Sequence, residues 1–496
     1  MHPFERQSVA QLLETRAALS RERTFLTWAP FEGRSRRWTY GEFAHDVARV
    51  ASGLAQRGVK RGDRVVVLME NCPEVLLTFF ACAWLGAVCV PVNAASTAPE
   101  LAYFLERTRA VGLVTQARLL AAIEAAVTSQ WMVTDASFGE LLAQPMPRVE
   151  VGSSDPAAIL FTSGTTSRPK GVVWTQANVL WGARMGVLQE GLRSDDVHLV
   201  FLPLFHVVAL TWSVLPAIWS GASCVLQPRF SASRFWDAAV EHRCTWASMV
   251  PFCTAVLARQ PIPPGHHFRM WGHAFYSSDY EKLFGVKLMG WWGMTEIVTM
   301  GLVGDPSLAQ TPRTIGRPSV GYRIAVVDEN GRACAPGEPG ELRVGGECGV
   351  SIFLEYVDDP AATQAAFDEQ GLFRTGDRVK VREDGTIEFI DRTKDVIKVG
   401  GENVAAPEVE RVIAAVKGVR EVAVVARRDP VLGEVPVAFV MADEAGRDAG
   451  FVERVLAACR VQLARFKVPR DVLVVDDFPR VAIGKISKAE LRRRLE

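Results

Sequence analysis

The chain has 496 residues, 49% of them hydrophobic and 23% charged, which is enough for two or three domains with large cores. Its 56 basic and 56 acidic residues cancel, so no general basic field is present to bind nucleic acid or an anionic membrane. Nine scattered cysteines, with no Cys-x-x-Cys pair, argue against a disulfide framework or a zinc site, and the N-terminus lacks the apolar core of a signal peptide. We therefore expect a cytoplasmic protein.

Short strands rich in Val, Ile and Leu alternate with longer helical patterns over the first part of the chain. This alternation predicts largely parallel sheets covered by helices. Two apolar runs, 75–92 and 199–226, are interrupted by Gly and Pro, so we expect no integral membrane segment. A helix is expected to begin near 71–73. The predicted strands are 64–68, 87–92, 112–114, 199–202, 224–226 and 246–249.

The pattern changes after residue 323, where strand-like runs are separated by Glu-Asn-Gly and Glu-Asp-Gly turns. Such turns predict hairpins, here of an antiparallel, barrel-like subdomain. A charged break at 391–395 is followed by a compact helix and strand pattern. The predicted strands of the hairpin region are 324–327, 340–344, 379–382 and 386–390, and the later elements are helices 407–416 and 449–463 with strands 419–426, 435–441 and 472–475.

These patterns predict an α/β fold with two domains. The large N-terminal domain, residues 1–391, would combine two layered α/β subdomains with the antiparallel barrel-like subdomain. The small mobile α+β C-terminal domain would comprise residues 392–496.

Residues 162–171 read Thr-Ser-Gly-Thr-Thr-Ser-Arg-Pro-Lys-Gly between two apolar runs. Small residues allow backbone N–H groups to face one concavity, and with hydroxyls and a lysine that concavity suits a polyphosphate. The common P-loop is excluded because Pro169, not Gly, precedes the lysine. The alternative is a solvated surface loop, but the flanking apolar runs favour a phosphate loop between core strands. The candidate nucleotide-binding residues are Thr162, Ser163, Gly164, Thr165, Thr166 and Lys170.

This loop resembles the signature loop of the adenylate-forming superfamily, which includes acyl-CoA synthetases, adenylation domains of peptide synthetases and luciferases. The Ser167-Arg168 variant of the loop is most similar to the crotonobetaine/carnitine-CoA ligase branch. Later landmarks occur in the family's order. They are Pro203-Leu204-Phe205-His206, Trp292-Gly293-Met294-Thr295-Glu296, Phe373-Arg374-Thr375-Gly376-Asp377, Asp391-Arg392-Thr393-Lys394-Asp395, Gly400-Gly401-Glu402-Asn403 and Gly484-Lys485.

The resemblance implies an ATP-dependent acyl-CoA ligase that works in two half-reactions. A carboxylic acid does not react with a thiol at neutral pH because hydroxide is a poor leaving group. Transfer of AMP from ATP gives an acyl-AMP, and the thiol of CoA then displaces AMP. The enzyme must align ATP, carboxylate and Mg²⁺ and neutralise charge at the α-phosphate.

The resemblance also implies roles in the first half-reaction. Lys485 would bridge the acyl carboxylate and the α-phosphate, although this chain has Val481 where the family usually has threonine. Glu296, which follows Thr295, would contact Mg²⁺. A single carboxylate is the expected protein ligand because that ion keeps most of its waters. Asp377 and Arg392 would contact the ribose.

For the second half-reaction, the resemblance implies a rotation of the small domain about a hinge at Lys394. The rotation would carry Lys485 away and bring Gly400 and Gly401 to a narrow channel for CoA, where glycine leaves room for the thiol arm. His206 would lie between the nucleotide and the acyl pocket and move when the thiol enters.

Trp292 stands where the family usually has an adenine-contacting tyrosine, next to Gly293. Just upstream, Trp271-Gly272-His273-Ala274 stands where the family tends to have Gly-Gly-Ala, so bulk is added twice near adenine. The indole would stack on adenine. Alternatively, it would obstruct ATP and leave an enzyme that performs only thioesterification of a supplied acyl-adenylate.

The segments expected to form the acyl pocket are rich in aromatic residues and contain no Asp or Glu. They favour a bulky hydrophobic carboxylic acid over a carnitine-type trimethylammonium acid held by cation–π contacts. Two further alternatives are an adenylating enzyme that loads a carrier protein in place of CoA and a regulatory nucleotide-binding protein without catalysis. A homodimer is a separate expectation. The candidate acyl-binding residues are Phe205, Trp212, Trp246, Trp271, Phe275 and Trp291.

Overall fold

The computed structural model describes residues 4–162, 168–392, 396–443, 448–479 and 486–495, apart from the side chains of residues 391, 392 and 489. The strands in this part of the chain are β1 Thr24–Trp28, β2 Arg36–Thr39, β3 Arg64–Leu68, β4 Val88–Val92, β5 Gly112–Thr115, β6 Trp131–Thr134, β7 Pro156–Thr162, β8 Lys170–Thr175, β9 Val197–Val200, β10 Ser223–Leu226, β11 Trp246–Ser248, β12 Met270–His273, β13 Lys287–Gly293, β14 Met300–Val303, β15 Thr314–Pro318, β16 Arg323–Val327, β17 Pro339–Gly345, β18 Glu355–Tyr356, β19 Phe373–Val381, β20 Ile387–Arg392, β21 Val396–Val399, β22 Glu402–Ala405, β23 Val419–Asp429, β24 Gly433–Ala442 and β25 Asp471–Val474.

The helices begin and end at recognisable signals. In α3, a proline occupies the first turn and Gly86 ends the helix with φ 72°, as the sequence predicted for a helix entered near residue 73. The α-helices of the described ranges are α1 Val9–Leu19, α2 Tyr40–Gln56, α3 Pro73–Leu85, α4 Ala98–Thr108, α5 Leu120–Ile123, α6 Gln176–Glu190, α7 Val207–Ala209, α8 Leu215–Ser220, α9 Ala232–Glu241, α10 Pro251–Leu257, α11 Ser278–Phe284, α12 Pro360–Ala365, α13 Ala406–Ala414, α14 Phe451–Gln462 and α15 Lys488–Arg493.

A thirteen-stranded sheet in the order β16-β17-β19-β20-β15-β14-β13-β12-β11-β9-β10-β1-β2 carries most of the predicted site. Its strands from β1 through β10, β9, β11 and β12 to β13 are parallel. From β13 onward the pairing is antiparallel. The antiparallel hairpins predicted from the Gly-containing turns are therefore present, and they continue the parallel sheet.

A seven-stranded sheet in the order β18-β8-β7-β4-β3-β5-β6 forms the second layer of the large unit. Its central strands are parallel, whereas β7, β8 and β18 pair in antiparallel fashion. Alternate residues of β3 face opposite cores: Val65 and Val67 lie in the main core, while Val66 and Leu68 pack with α4. This two-sided burial is why the strand is a continuous apolar run in the sequence.

The C-terminal part of the chain has its own sheet, in the order β22-β21-β24-β23, with β25 beside β24. Helices α13 and α14 cover one face around Val409 and Val455. The mixed α/β architecture, with a large and a smaller unit, confirms the predicted fold class. Within the described ranges, no helix is both long and apolar enough to cross a bilayer.

Candidate active site

The predicted phosphate loop connects the antiparallel strands β7 and β8, in which Thr162 pairs with Lys170. Four of its candidate residues, Ser163, Gly164, Thr165 and Thr166, lie outside the described residues. Thr162 Oγ1 is buried, and no described group is its hydrogen-bond partner. The hairpin thus supplies a lysine and a buried hydroxyl at one end of the seven-stranded sheet.

Lys170 is linked to the candidate magnesium ligand through one tyrosine. Its Nζ lies 4.6 Å from the centre of the Tyr356 ring, and the Tyr356 hydroxyl donates a 2.9 Å hydrogen bond to Glu296 Oε1. Burial, together with the Glu296 carboxylate, raises the pKa of Tyr356 well above its usual range, so the phenol stays a donor. The Thr295 carbonyl accepts a 2.9 Å bond from the Trp174 indole, which fixes this turn against β8. The sheet therefore holds Glu296 beside the phosphate hairpin.

A cavity of about 240 Å³ opens beside Lys170 and is lined by further cations. Arg107 Nη2 donates a 2.7 Å bond to the Val357 carbonyl, and Arg168 lies over the Tyr103 ring. Among the described residues no cluster of three or more His, Cys, Asp or Glu side chains forms a metal site. The lining carries three cations, Arg107, Arg168 and Lys170, and one partly exposed carboxylate, Asp359, a balance that suits a polyphosphate. Glu296 is connected to this cavity through Tyr356.

The candidate ribose and adenine residues are in direct contact. The Trp292 indole N–H donates a 2.8 Å hydrogen bond to Asp377 Oδ2, and both side chains are buried. Asp377 pairs with Arg392 across β19 and β20, although the Arg392 side chain is not described. The structure brings Trp292 and Asp377 together through a hydrogen bond that a phenylalanine at position 292 would lack.

Three of the predicted acyl-pocket indoles pack together on one face of the large sheet. Trp291 lies 4.8 Å from Trp212 edge-on and 6.0 Å from Trp246 in a stacked arrangement, measured between ring centres. A Cβ at Gly272 would lie 1.8 Å from Trp291, and one at Gly293 would lie 2.7 Å from Trp212. Glycine at both positions is therefore a requirement of the indole packing.

Trp271 and His273 lie on the opposite face of β12 from this group. Trp271 packs with Phe284 of α11 in the second core. His273 Nδ1 donates to the Phe275 carbonyl at 2.7 Å, and its Nε2 lies 3.1 Å from Thr254 Oγ1. Burial lowers the pKa of His273 to about 4, so the ring is neutral. The structure does not bring Trp271 and His273 together with the other candidates, because neighbouring strand residues point to opposite faces.

His206 meets the small unit directly. Its Nε2 lies 3.0 Å from Glu402 Oε2, and its ring centre is 4.3 Å from that of Phe205. Since an ionised carboxylate only accepts, Nε2 carries a proton in this pair, and in a neutral imidazole Nδ1 would then be the acceptor nitrogen. Both side chains are partly exposed, so a ligand can reach the pair from solvent.

The adjacent glycines approach the large unit at the same place. Gly400 and Gly401 have φ values of 59° and 94°, a region that favours glycine. A Cβ at Gly401 would lie 3.6 Å from Val250 Cγ2, at the start of α10. The turn between β21 and β22 therefore closes against the large unit beside His206.

Lys485 and the hinge residue Lys394 lie outside the described residues.

Two residues of the site escaped the sequence reasoning, Tyr356 and Glu402. Glu402 carried a signal, since it directly follows the two glycines of a landmark. Tyr356 lies in a two-residue strand whose partners are distant in the chain, so no local pattern marked it.

The amino-acid sequence matches the models of one known protein family and the sequences of its members. The profile "AMP-binding enzyme" matches residues 13–357 and "AMP-binding enzyme C-terminal domain" matches residues 408–485. A crotonobetaine/carnitine–CoA ligase of Salmonella typhi is 32% identical over 514 residues, covering 98% of this chain and 99% of that protein.

Two solved structures of one enzyme are similar to this chain to different degrees. A double mutant of o-succinylbenzoate CoA synthetase (MenE) from Bacillus subtilis, bound with its product analogue OSB-NCoA, gives a TM-score of 0.86 at 27% identity, with 97% of this chain and 98% of that chain covered. The same Bacillus enzyme in complex with AMP gives 0.70 at 27% identity, with 98% of both chains covered. The chain belongs to the AMP-binding, adenylate-forming family and is an acyl-CoA ligase of that family, with ATP and CoA as its cosubstrates.

Proposed function

We propose that the chain converts a carboxylic acid to its CoA ester through an acyl-AMP, and that the described arrangement of its two units is the one used in the second half-reaction. The observation that carries this proposal is the 3.0 Å contact between His206 and Glu402, which joins the predicted thiol site to the small unit. We further propose the division into residues 1–391 and 392–496, with the hinge at Lys394.

The similarity to the two Bacillus structures supports this assignment of the arrangement. The sequence identity to the same enzyme is 27% in both comparisons, yet the TM-score is higher for the product-analogue complex than for the AMP complex. A difference in the relative position of the two units accounts for such a change without a change in either unit.

In the second half-reaction, the sulfur of CoA forms a bond to the acyl carbon while the bond from that carbon to the phosphate oxygen breaks, and AMP leaves. Glu402 fixes the orientation and tautomer of His206, so that Nδ1 accepts the thiol proton. Gly400 and Gly401 leave space for the thiol arm next to Val250.

In the first half-reaction, Lys485 would stabilise charge between the carboxylate and the α-phosphate, and Lys170 would hold the phosphates. Glu296, positioned by Tyr356, would hold Mg²⁺, which supplies charge neutralisation on the triphosphate. Asp377 and Arg392 would bind the ribose while Trp292 contacts adenine. A carboxylate oxygen accepts more than one hydrogen bond, so the bond from Trp292 leaves Asp377 able to receive a ribose hydroxyl.

Two substrate classes compete. The buried indoles of Trp212, Trp246 and Trp291 favour a bulky hydrophobic acid, whose flat apolar surface they would contact. The name of the Salmonella relative favours a trimethylammonium acid, which the same indoles would hold by cation–π contacts. An enzyme limited to thioesterification is the remaining alternative, supported by the added bulk at Trp292.

A cytoplasmic location agrees with nine free cysteines, and a homodimer stays a prediction.

A reciprocal pair of variants tests the proposal. Lys485→Ala should lower acid-dependent pyrophosphate release at least ~100-fold, as loss of a preorganised charge does, and should retain CoA ester formation from supplied acyl-AMP. Glu402→Ala should lower CoA ester formation from acyl-AMP about tenfold or more and retain pyrophosphate release. The assay uses a panel containing bulky apolar and trimethylammonium acids. Equal loss of both activities in either variant would contradict the assignment of half-reactions.

A further inference from the structure

A buried lysine joins the two units at a second place, away from His206. Lys467 Nζ lies 2.5 Å from Glu100 Oε1 and 2.9 Å from Glu408 Oε1. The three side chains are 10%, 8% and 4% exposed, so this cluster of two carboxylates and one ammonium is almost fully removed from water. Burial lowers the pKa of Lys467, but attraction by Glu408 and Glu100 outweighs this and raises it, so the lysine remains charged.

The members of this cluster come from different units. Glu100 lies in the first turn of α4, where its Oε2 also accepts from the Thr97 N–H at 2.8 Å and closes a capping box. Glu408 lies in the first turn of α13, and Lys467 follows α14. A neighbouring hydrogen bond of 3.0 Å, from Thr97 Oγ1 to the Gln462 carbonyl, crosses between the same units.

The charges of the cluster divide unevenly between the units. Glu408 and Lys467 belong to the small unit, so their ion pair persists wherever that unit moves. Glu100 belongs to the large unit and meets the lysine only when the two units are placed as described. In any other placement Lys467 keeps one carboxylate and Glu100 is left without the lysine. The contact with Glu100 therefore has a different free energy in the two arrangements, which is the requirement for shifting their populations.

We propose that Glu100 is a positioning residue for CoA ester formation, because its bond to Lys467 holds the small unit where Glu402 reaches His206 and Gly401 reaches Val250. This proposal rests on the proposed two-step function. In this proposal, Glu100 makes no contact with the substrate. Its effect is on how often the small unit occupies the second arrangement, so it acts on one half-reaction only.

Glu100→Gln tests the proposal, since the amide keeps an acceptor for the Thr97 cap while removing the negative charge. The Lys467–Glu408 pair stays balanced, so the small unit retains its own buried ion pair. We expect CoA ester formation from supplied acyl-AMP to fall about fivefold or more, within the usual range of coupling between sites. Pyrophosphate release should be unchanged or faster, and Glu100→Asp should restore part of the lost rate.

Glu42→Gln is the matched control. Glu42 closes the same kind of capping box with Thr39 at the start of α2, through a 2.8 Å bond from the Thr39 N–H, and its described contacts stay within the large unit. It should leave both half-reactions unchanged. Equal rates for wild type and Glu100→Gln in the second half-reaction, or equal losses in Glu42→Gln and Glu100→Gln, would overturn the proposal.

A distance measurement separates this proposal from the proposed function. Spin labels at the exposed positions Leu188 and Val474, after replacement of Cys334 and Cys348 by serine, report on the placement of the two units without any turnover. Glu100→Gln should shift the distance distribution away from the wild-type maximum, and Glu42→Gln should not. An unchanged distribution in Glu100→Gln would overturn the positioning role, whereas a wild-type protein that forms no CoA ester from any acyl-AMP would instead overturn the proposed function.

Discussion

At the scale of single residues, Trp292 connects the adenine contact to the ribose carboxylate. Its indole N–H bonds Asp377 at 2.8 Å in a buried setting. Hydrogen bonds to charged groups contribute about 1.5–3 kcal/mol. Trp292→Phe keeps an aromatic surface and removes this donor, so we expect kcat/KM for ATP in pyrophosphate exchange to fall about tenfold.

The same variant decides between the two interpretations of the tryptophan. If the indole obstructed ATP, the smaller ring of Trp292→Phe would raise exchange above the wild-type level. A rise in pyrophosphate exchange would therefore contradict the interpretation that the indole contacts adenine and holds Asp377. It would favour an enzyme that performs thioesterification alone. The free energy of unfolding in urea serves as the control that the variant is still folded.

Glu190, at the end of α6, is a fully buried carboxyl whose two oxygens have no hydrogen-bond partner among the described groups. Burial raises its pKa well above the usual value, so the folded protein holds a proton that the unfolded chain releases near pH ~4.3. Its contribution to stability is therefore complete below that pH and is lost as the pH rises towards the folded-state pKa.

Glu190→Gln removes this titration at nearly constant volume. We expect the free energy of unfolding of the variant, relative to wild type, to increase between pH 5 and pH 9, measured by urea unfolding at each pH. A difference that stays constant across this range would contradict the prediction, because it would mean that the folded protein binds no more protons at Glu190 than the unfolded chain does.

At the scale of elements, the sequence predicted the strands best where one physical signal dominated. Strand β3 has the predicted bounds because Val and Leu fill both of its faces. Strand β9 begins at Val197, two residues before the predicted start, because the buried polar side chain of His198 interrupts the apolar run. The two strands predicted on either side of the phosphate loop are confirmed as β7 and β8, and the structure adds that they pair as an antiparallel hairpin.

The side-chain contacts of the site were less predictable. The sequence could not assign residues to a face of β12, so Trp271 and His273 were grouped with Gly272 although they point to the second core. The bond between Lys467 and Glu100 joins residues 367 positions apart, and no periodicity records such a pair. Motif order located the landmarks, whereas the pairing of Glu402 with His206 needed the relative placement of two units.

At the scale of the whole molecule, one arrangement cannot serve both proposed half-reactions. The described contacts place Glu402 on His206 and Gly401 beside Val250. In the proposed mechanism, adenylation places Lys485 at the α-phosphate instead, so the small unit would rotate between the two half-reactions of each turnover. The two interfacial clusters, at His206 and at Lys467, would then break and re-form together.

Lys394→Pro tests whether that rotation occurs at residue 394. Proline restricts φ to about −65°, which should prevent the linker from adopting one of its two conformations. We expect overall conversion of acid to CoA ester to fall at least ~10-fold, while one half-reaction, assayed separately, is retained. Lys394→Ala removes the same side chain without restricting φ and should turn over close to the wild-type rate. Unchanged turnover in Lys394→Pro would place the hinge elsewhere, because a rigid residue at the pivot is incompatible with a rotation in every cycle.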